Sequence, residues 1–146
     1  VAIGAGEVLR EGSDTVLVAV GSMVGTSLAA AEILARAGIA AAVVDARFVK
    51  PLAEAILSSL AAEGPPVIFA LEENARTGGF GEAIREFFAE RAPGKRVVTI
   101  GLPDLFVPHG KRELLLDESG VSAEAVAAEV VRRIGTRSGA GQGGNR

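Results

Sequence analysis

The residues best suited to chemistry in this chain stand where apolar runs end. Glu72 and Glu73 directly follow the apolar run at residues 67–71. Two adjacent carboxylates could act as general acid and base or bind a hard cation. Neighbours along a strand point to opposite faces of a sheet, so we expect one carboxylate to point into the molecule or a partner and the other towards solvent. This geometry favours shaping of the loop, or an interface, over catalysis.

A glycine-rich stretch follows the two glutamates. It comprises Gly78, Gly79, Phe80 and Gly81, and it leads into a segment with helical spacing. Glycine lets another backbone approach closely because it carries no Cβ. We therefore expect these four residues to shape the loop or to receive a backbone from another domain.

The only histidine of the chain, His109, shares the loop at residues 101–110 with Asp104. A Ser-His-Asp triad would need a nucleophilic serine, and the sequence lacks the GxSxG elbow that commonly presents one. We therefore assign His109 and Asp104 to structural or interface contacts. Contact of His109 with a substrate bound elsewhere remains the alternative.

Two further loops follow predicted strands. The junction at residues 21–27 could bind phosphate at a helix start, but it lacks the lysine of GxxxxGK[ST] and the GxGxxG pattern, which favours a tight turn. In the loop at residues 45–52, Arg47 and Lys50 could meet an anion or pair with acids. Phe48 in the same loop is expected to anchor a neighbouring domain.

The composition narrows the class of protein. The chain has 146 residues, 49% of them hydrophobic, which suits one domain with a sizeable core. It has no cysteine, so disulfides, thiolate zinc sites and a cysteine nucleophile are excluded, and a cytoplasmic location is expected. Scattered charges with a net value of -3 argue against nucleic-acid binding, and no apolar run reaches the ~20 residues of a membrane span.

Apolar runs alternate along the chain with segments of helical spacing. Strands are predicted at residues 7–10, 15–20, 40–44, 67–71 and 97–100. Helices are predicted at residues 24–37, from Pro51 to the turn at Gly64, from Gly81 to the turn at Pro93, at residues 111–116, and at residues 123–134. In the first helix, Leu28, Ala31 and Ala35 are expected to face inwards, and Glu32 to pair with Arg36.

This alternation predicts an α/β fold, a three-layer α/β/α sandwich. The sheet has about five strands and is mostly parallel. Only about four residues separate the first two strands, too few for a crossover, so the first strand should pair antiparallel or lie at an edge. We expect the domain to span residues 1–135, with 1–6 as a linker from a preceding domain. The glycine-rich residues 136–146 are expected to be a disordered tail, and the missing initiating methionine suggests a piece of a longer chain.

Several of these segments together resemble the C-terminal domain of the 1-deoxy-D-xylulose-5-phosphate synthase family, a branch of the transketolase-like enzymes. The segments that carry the resemblance are 6–12, 21–24, 44–52, 72–73 with 78–81, and 101–104 with 106 and 109–110. The glycine-rich loop also resembles that of other transketolase-like enzymes, whereas residues 46–52 and 101–110 are much more specific to the synthase. Pro108 departs from the pattern, which has an acidic residue there.

The resemblance implies a transferase dependent on thiamine diphosphate. It condenses pyruvate with D-glyceraldehyde 3-phosphate, with loss of carbon dioxide, for the synthesis of isoprenoid precursors and thiamine. The family holds thiamine diphosphate and Mg²⁺ chiefly in other domains, so no catalytic, cofactor-binding or metal-binding residue is assigned here. The implied partners are the preceding domains of the same chain and a second copy in a homodimer, and the isolated chain is expected to be inactive.

Two other functions are weighed against this one. A stand-alone regulatory module would hold a small anion at its strand-end loops, and the linker-like start of the chain argues against it. The C-terminal domain of a 2-oxoacid dehydrogenase beta subunit would recruit a carrier protein, and residues 101–104 argue against that.

Overall fold

Strands and helices alternate along residues 6–47, 54–74, 79–102 and 122–135, which the computed structural model describes. The strands are β1 (Glu7–Arg10), β2 (Thr15–Ala19), β3 (Ala41–Asp45), β4 (Val67–Asn74) and β5 (Arg96–Leu102). The helices of the described residues are α1 (Met23–Arg36), α2 (Glu54–Glu63), α3 (Phe80–Arg91) and α4 (Ala123–Ile134).

The strands form one sheet in the order β1-β3-β2-β4-β5. Strands β2 to β5 are mutually parallel, and β1 pairs antiparallel with β3 at the edge of the sheet. Both expectations for the first strand are confirmed. Hydrophobic clusters cover both faces of the sheet: α1 and α4 pack on one, and α2 and α3 on the other. The predicted α/β three-layer sandwich is therefore confirmed.

Burial on both faces explains why β2 reads as a nearly continuous apolar run. All five of its residues are buried. The one polar residue in it, Thr15, donates its hydroxyl proton to the Val67 carbonyl of β4 at 2.9 Å. The polar atom is thereby satisfied inside the core, as a buried hydroxyl requires.

The last helix follows the predicted pattern closely. Val126, Ala127 and Val130 are buried, and Ala123 and Ile134 pack against the same cluster. The amide of Ala125 donates to Ser122 Oγ at 3.2 Å, so the serine caps the helix. The helix predicted at residues 123–134 is therefore confirmed.

The orientation predicted for α1 is wrong at one position. Ala35 is exposed, and the residues buried against the sheet are Met23, Ser27, Ala30, Ala31 and Leu34. Alanines lie on several sides of this helix, so its sequence defines the apolar face poorly. Packing on the sheet selects the side that also carries Met23.

The predicted ion pair between Glu32 and Arg36 is also replaced. Glu32 accepts a hydrogen bond from Arg10 Nη1 of β1 at 2.6 Å. The pair joins the edge strand to the helix layer.

The predicted short helix at residues 111–116 and the predicted tail lie outside the described residues.

Candidate functional site

Several of the predicted site residues lie where the parallel strands end. The carboxyl ends of β2 to β5 meet at one edge of the sheet, the usual place for sites in open α/β folds. After β2 the chain passes into α1 on one face, and after β4 it passes into α3 on the other. The two connections diverge between the adjacent strands β2 and β4. The Val20 amide still joins them by donating to the Leu71 carbonyl at 3.3 Å.

Glu72 lies at this edge, on the strand between β2 and β5. It lies in β4, which runs three residues beyond the predicted end at Leu71. Its Oε1 accepts the Phe80 amide at 2.6 Å, at the first residue of α3. The N-cap residue, Gly79, has no side chain that could do this, so the strand supplies the cap that the helix start lacks. The positive end of the helix dipole also favours a carboxylate at this position.

Burial raises the pKa of Glu72 above its ordinary value of 4.5. The Phe80 and Gly81 amides oppose this effect, because hydrogen bonds to the charged form favour ionisation. Desolvation is the larger of the two effects. The carboxylate thus caps the start of α3 and is partly buried.

The glycines at the start of α3 allow it to lie close to the sheet. Phe80 is fully buried in the core on this face. A Cβ built on Gly81 would come within 2.8 Å of Thr99 Cγ2 of β5. The close approach at Gly81 thus comes from the neighbouring strand of the same domain. The suggestion of a backbone from another domain is not needed for this glycine.

The structure brings four of the predicted site residues together. They are Glu72, Gly79, Phe80 and Gly81. The backbone of Glu73 continues β4, and its side chain lies outside the described part of the chain. The remaining candidates also lie outside it: Phe48, Gly78, Asp104 and His109.

The loop after β2 forms a tight turn. Gly21 has a φ of +66°, a left-handed conformation that glycine adopts without strain. The N-cap of α1 is Ser22, whose side chain makes no capping hydrogen bond. The turn geometry accounts for the glycine without any phosphate ligand.

Arg47 shows a feature that sequence reasoning missed. It has a φ of 67°, unusual for a residue with a side chain. Its amide donates to Asp45 Oδ1 at 2.8 Å, and its guanidinium pairs with Glu7 of β1. Of the two roles left open for Arg47, pairing with an acid is the one observed. An aspartate that accepts from the amide two residues later is a known turn signal and is the clue that the sequence carried.

The described residues do not fit a magnesium–diphosphate site. Among residues 6–47, 54–74, 79–102 and 122–135, no group of three or more His, Cys, Asp or Glu side chains could hold a metal ion. Glu72 is already engaged by the amide of Phe80.

None of the helices in these ranges is long and apolar enough to cross a membrane.

The sequence of this chain matches one known protein family over most of its length. Residues 4–126 match the family described as transketolase, C-terminal domain. The chain belongs to this family, as the mixed sheet and its two helical layers also indicate.

Particular relatives are named as synthases. The chain is 44% identical over 128 residues to the 1-deoxy-D-xylulose-5-phosphate synthase of Syntrophotalea carbinolica. It is 49% identical over 125 residues to the enzyme of the same name from Desulforudis audaxviator. These matches cover 88% and 85% of this chain but 20% of each relative. The chain thus spans about a fifth of the length of these curated relatives.

Solved structures confirm the fold. A split-gene transketolase, an inactive beta4 tetramer, superposes with a TM-score of 0.82 at 35% identity, and the match covers 92% of this chain and 43% of the other. Transketolase from Pichia stipitis, in complex with sedoheptulose 7-phosphate, superposes with a TM-score of 0.65 at 24% identity. That match covers 90% of this chain and 18% of the other, and it concerns the fold alone.

Proposed function

We propose that this chain is the C-terminal domain of a 1-deoxy-D-xylulose-5-phosphate synthase. The observation that carries the proposal is the similarity to synthases of that name, which extends over most of this chain. The whole enzyme would condense pyruvate with D-glyceraldehyde 3-phosphate and release carbon dioxide. It would thereby act as a transferase in the synthesis of isoprenoid precursors and thiamine.

The domain's own role in this proposal is structural. Thiamine diphosphate and Mg²⁺ supply the carbanion chemistry from other domains of the enzyme. The engagement of Glu72 by the amide of Phe80, which gives this carboxylate a structural role, supports this division. The chain is proposed to be inactive alone and to act in a homodimer of the full-length enzyme in the cytoplasm.

The candidate residues take two roles within this proposal. Glu72, Gly79, Phe80 and Gly81 shape the start of α3, which the hydrogen bond from Phe80 to Glu72 supports. Phe48, Glu73, Gly78, Asp104 and His109 are proposed to form contacts with neighbouring domains or the partner subunit. The domain itself is proposed to end near residue 135, where Gly135 follows α4.

A turnover assay tests whether catalysis belongs to the full-length enzyme and not to this chain alone. The full-length protein, supplied with thiamine diphosphate, Mg²⁺, pyruvate and D-glyceraldehyde 3-phosphate, is expected to form 1-deoxy-D-xylulose 5-phosphate. This chain alone is expected to form none above a protein-free control, with product followed by NMR. No product from the full-length protein would refute the assigned reaction, and turnover by the chain alone would refute the structural role.

A binding assay on this chain provides the matching control. Millimolar thiamine diphosphate with Mg²⁺ is expected to leave its melting temperature unchanged. A rise of more than about 2 °C would reveal a local site, because a ligand that binds only the folded state stabilises it by mass action.

A further inference from the structure

The edge strand β1 contributes little to the core of this domain. Three of its four residues are exposed, whereas all five residues of β2 are buried. Its apolar side chains share this exposure, since Val8 is 45% exposed and Leu9 is 37% exposed. Because the stabilisation from burial scales with the apolar surface removed from water, β1 would lose little of it by leaving the sheet.

The backbone ladder that holds β1 is short and irregular. In the described sheet, β1 pairs with β3 alone, and the register shifts between Val8 and Arg10. By contrast, β3 pairs with β2 along all five of its residues, Ala41 to Asp45. The four parallel strands would therefore keep their mutual pairing if β1 left.

Exposed ion pairs hold the two ends of β1. At its last residue, Arg10 Nη1 lies 2.6 Å from Glu32 Oε2 of α1. At its first residue, Glu7 pairs with the guanidinium of Arg47. The Glu32 and Glu7 side chains are 64% and 51% exposed, so ions in solution can screen both pairs. Pairs of this kind weaken as salt is added.

The turn that follows β1 is fixed to the start of β3. The amide of Asp14 donates to the Ala40 carbonyl at 2.8 Å, and Asp14 Oδ2 accepts the Ala40 amide at 2.7 Å. A Cβ built on Gly12 would lie 2.5 Å from the carbonyl carbon of Ala41, so the backbone packs directly on β3 at this glycine. A release of β1 would therefore end before Gly12.

We propose that β1 is a releasable strap, held at its two ends by ion pairs, that undocks from β3 as a unit while β2 to β5 stay folded. Local opening of this kind is expected where a segment buries few apolar side chains and its contacts face solvent. Undocking frees the four residues of β1, which span roughly 13 Å when extended.

The consequence for the enzyme rests on the proposed function, because it requires the longer chain. In the full-length enzyme, release would lengthen the connection between this domain and the polypeptide that precedes Glu7. The strap would thereby set how far this domain can move from the rest of its own chain.

Hydrogen–deuterium exchange of the full-length enzyme tests the strap, with mass spectrometry of peptides that cover β1 and β2. The amides of β1 are expected to exchange at least about tenfold faster than those of β2. Raising NaCl from about 50 mM to about 0.5 M should speed exchange severalfold in β1 alone. Equal rates in the two strands, or a salt response that both share, would overturn the proposal, because opening would then be global.

Two substitutions on other elements test the ion pairs. Glu32→Gln on α1 removes the charged partner of Arg10 and is expected to speed exchange in β1 about two- to fivefold, the range for an exposed ion pair. Glu90→Gln, at an exposed position of α3, is the matched control and should leave β1 unchanged. If β1 exchanged alike in the two variants, the ion pair would not hold the strand and the proposal would fail.

A disulfide across the ladder gives a second measurement. Val8 and Val44 are opposite each other in the register of β1 and β3, and directly opposed residues of antiparallel strands lie within the range that a disulfide spans. In an enzyme with Val8→Cys and Val44→Cys, the oxidised form is expected to exchange in β1 roughly tenfold more slowly than the reduced form. Equal exchange in the two forms would show that the amides of β1 exchange without undocking, which refutes the strap.

Exchange and turnover are read separately. An enzyme that forms product while β1 and β2 exchange together keeps its proposed function and loses the strap. An enzyme in which β1 opens alone but which forms no product keeps the strap and loses the proposed reaction.

Discussion

Glu72 shows how a residue suited to chemistry becomes a structural one. A carboxylate at the carboxyl end of a central parallel strand has the position of many catalytic acids. Here its Oε1 accepts the amide of Phe80, the first residue of α3. Because the N-cap residue of that helix is Gly79, which offers no capping side chain, the strand residue provides the acceptor.

The raised pKa of Glu72 predicts a pH-dependent contribution to stability. Between 4.5 and the higher value in the folded chain, the unfolded chain ionises first, so stability falls as the pH rises through that window. Glu72→Gln keeps an acceptor oxygen and removes the charge. We expect the free energy of unfolding of the variant, relative to wild type, to be higher at about pH 7 than at about pH 4.

Urea denaturation across this pH range measures the difference. Glu90→Gln, at an exposed position of α3, is the control and should follow the wild-type profile. If the Glu72→Gln and wild-type profiles ran parallel, burial would not be raising the pKa of this carboxyl.

A double-mutant cycle can test whether the contact between Gly81 and Thr99 limits how closely α3 packs on the sheet. Gly81→Ala would place a methyl group 2.8 Å from Thr99 Cγ2 and should destabilise the chain by about 1–3 kcal/mol, the usual cost of overpacking. Thr99→Ser removes Cγ2, so the double variant should recover part of the loss. Gly94→Ala meets nothing within 4 Å and serves as the control in thermal or urea unfolding. Full additivity in the cycle would mean that this contact does not limit the approach of α3.

At the scale of elements, β1 depends on charges as well as on its ladder. It has four residues, and its register with β3 shifts between Val8 and Arg10. Arg10 pairs with Glu32 of α1, and Glu7 pairs with Arg47 beyond the end of β3. A short strand of this kind contributes little surface to the core, so both ends are joined to neighbouring elements.

The helix α4 carries an acid whose pKa shifts in the opposite direction to that of Glu72. Burial alone would raise the pKa of Glu129, but hydrogen bonds and charges from Arg132 and Arg133 outweigh burial and hold it below 4.5. The stabilisation is therefore present above 4.5 and is lost as the pH falls through the lowered pKa.

Glu129→Gln should consequently destabilise the chain at neutral pH by about 0.5 kcal/mol, the order of exposed helical ion pairs. The difference from wild type should narrow between neutral pH and a pH below the lowered pKa, where the wild-type carboxyl is also neutral. Denaturant titrations at the two pH values, repeated at high salt, measure it. A deficit that persisted unchanged in acid would assign the effect to packing.

At the scale of the whole molecule, two apolar clusters sandwich one sheet. One cluster joins α1 and α4 to the sheet, and the other joins α2 and α3 to it. At the edge of the sheet, three of the four residues of β1 are exposed.

Local patterns were enough to predict the layers of this fold. Continuous apolar runs are typical of strands buried on both faces, and Ser122 with its apolar stripe defines α4 without reference to any other element. The short gap after β1 excluded a parallel crossover. The motifs at residues 44–52 and 101–110 were enough to indicate the family.

The partners of Glu72, Glu32 and Arg47, by contrast, could be learned only from the assembled fold. Glu72 meets the amide of Phe80 across the start of a helix, Glu32 meets Arg10, and Arg47 meets Glu7. The buried side of α1 was likewise chosen by the sheet, which left Ala35 exposed. Periodicity and capping depend on neighbours within one or two turns of the chain, whereas these contacts join residues that only the packed layers bring together.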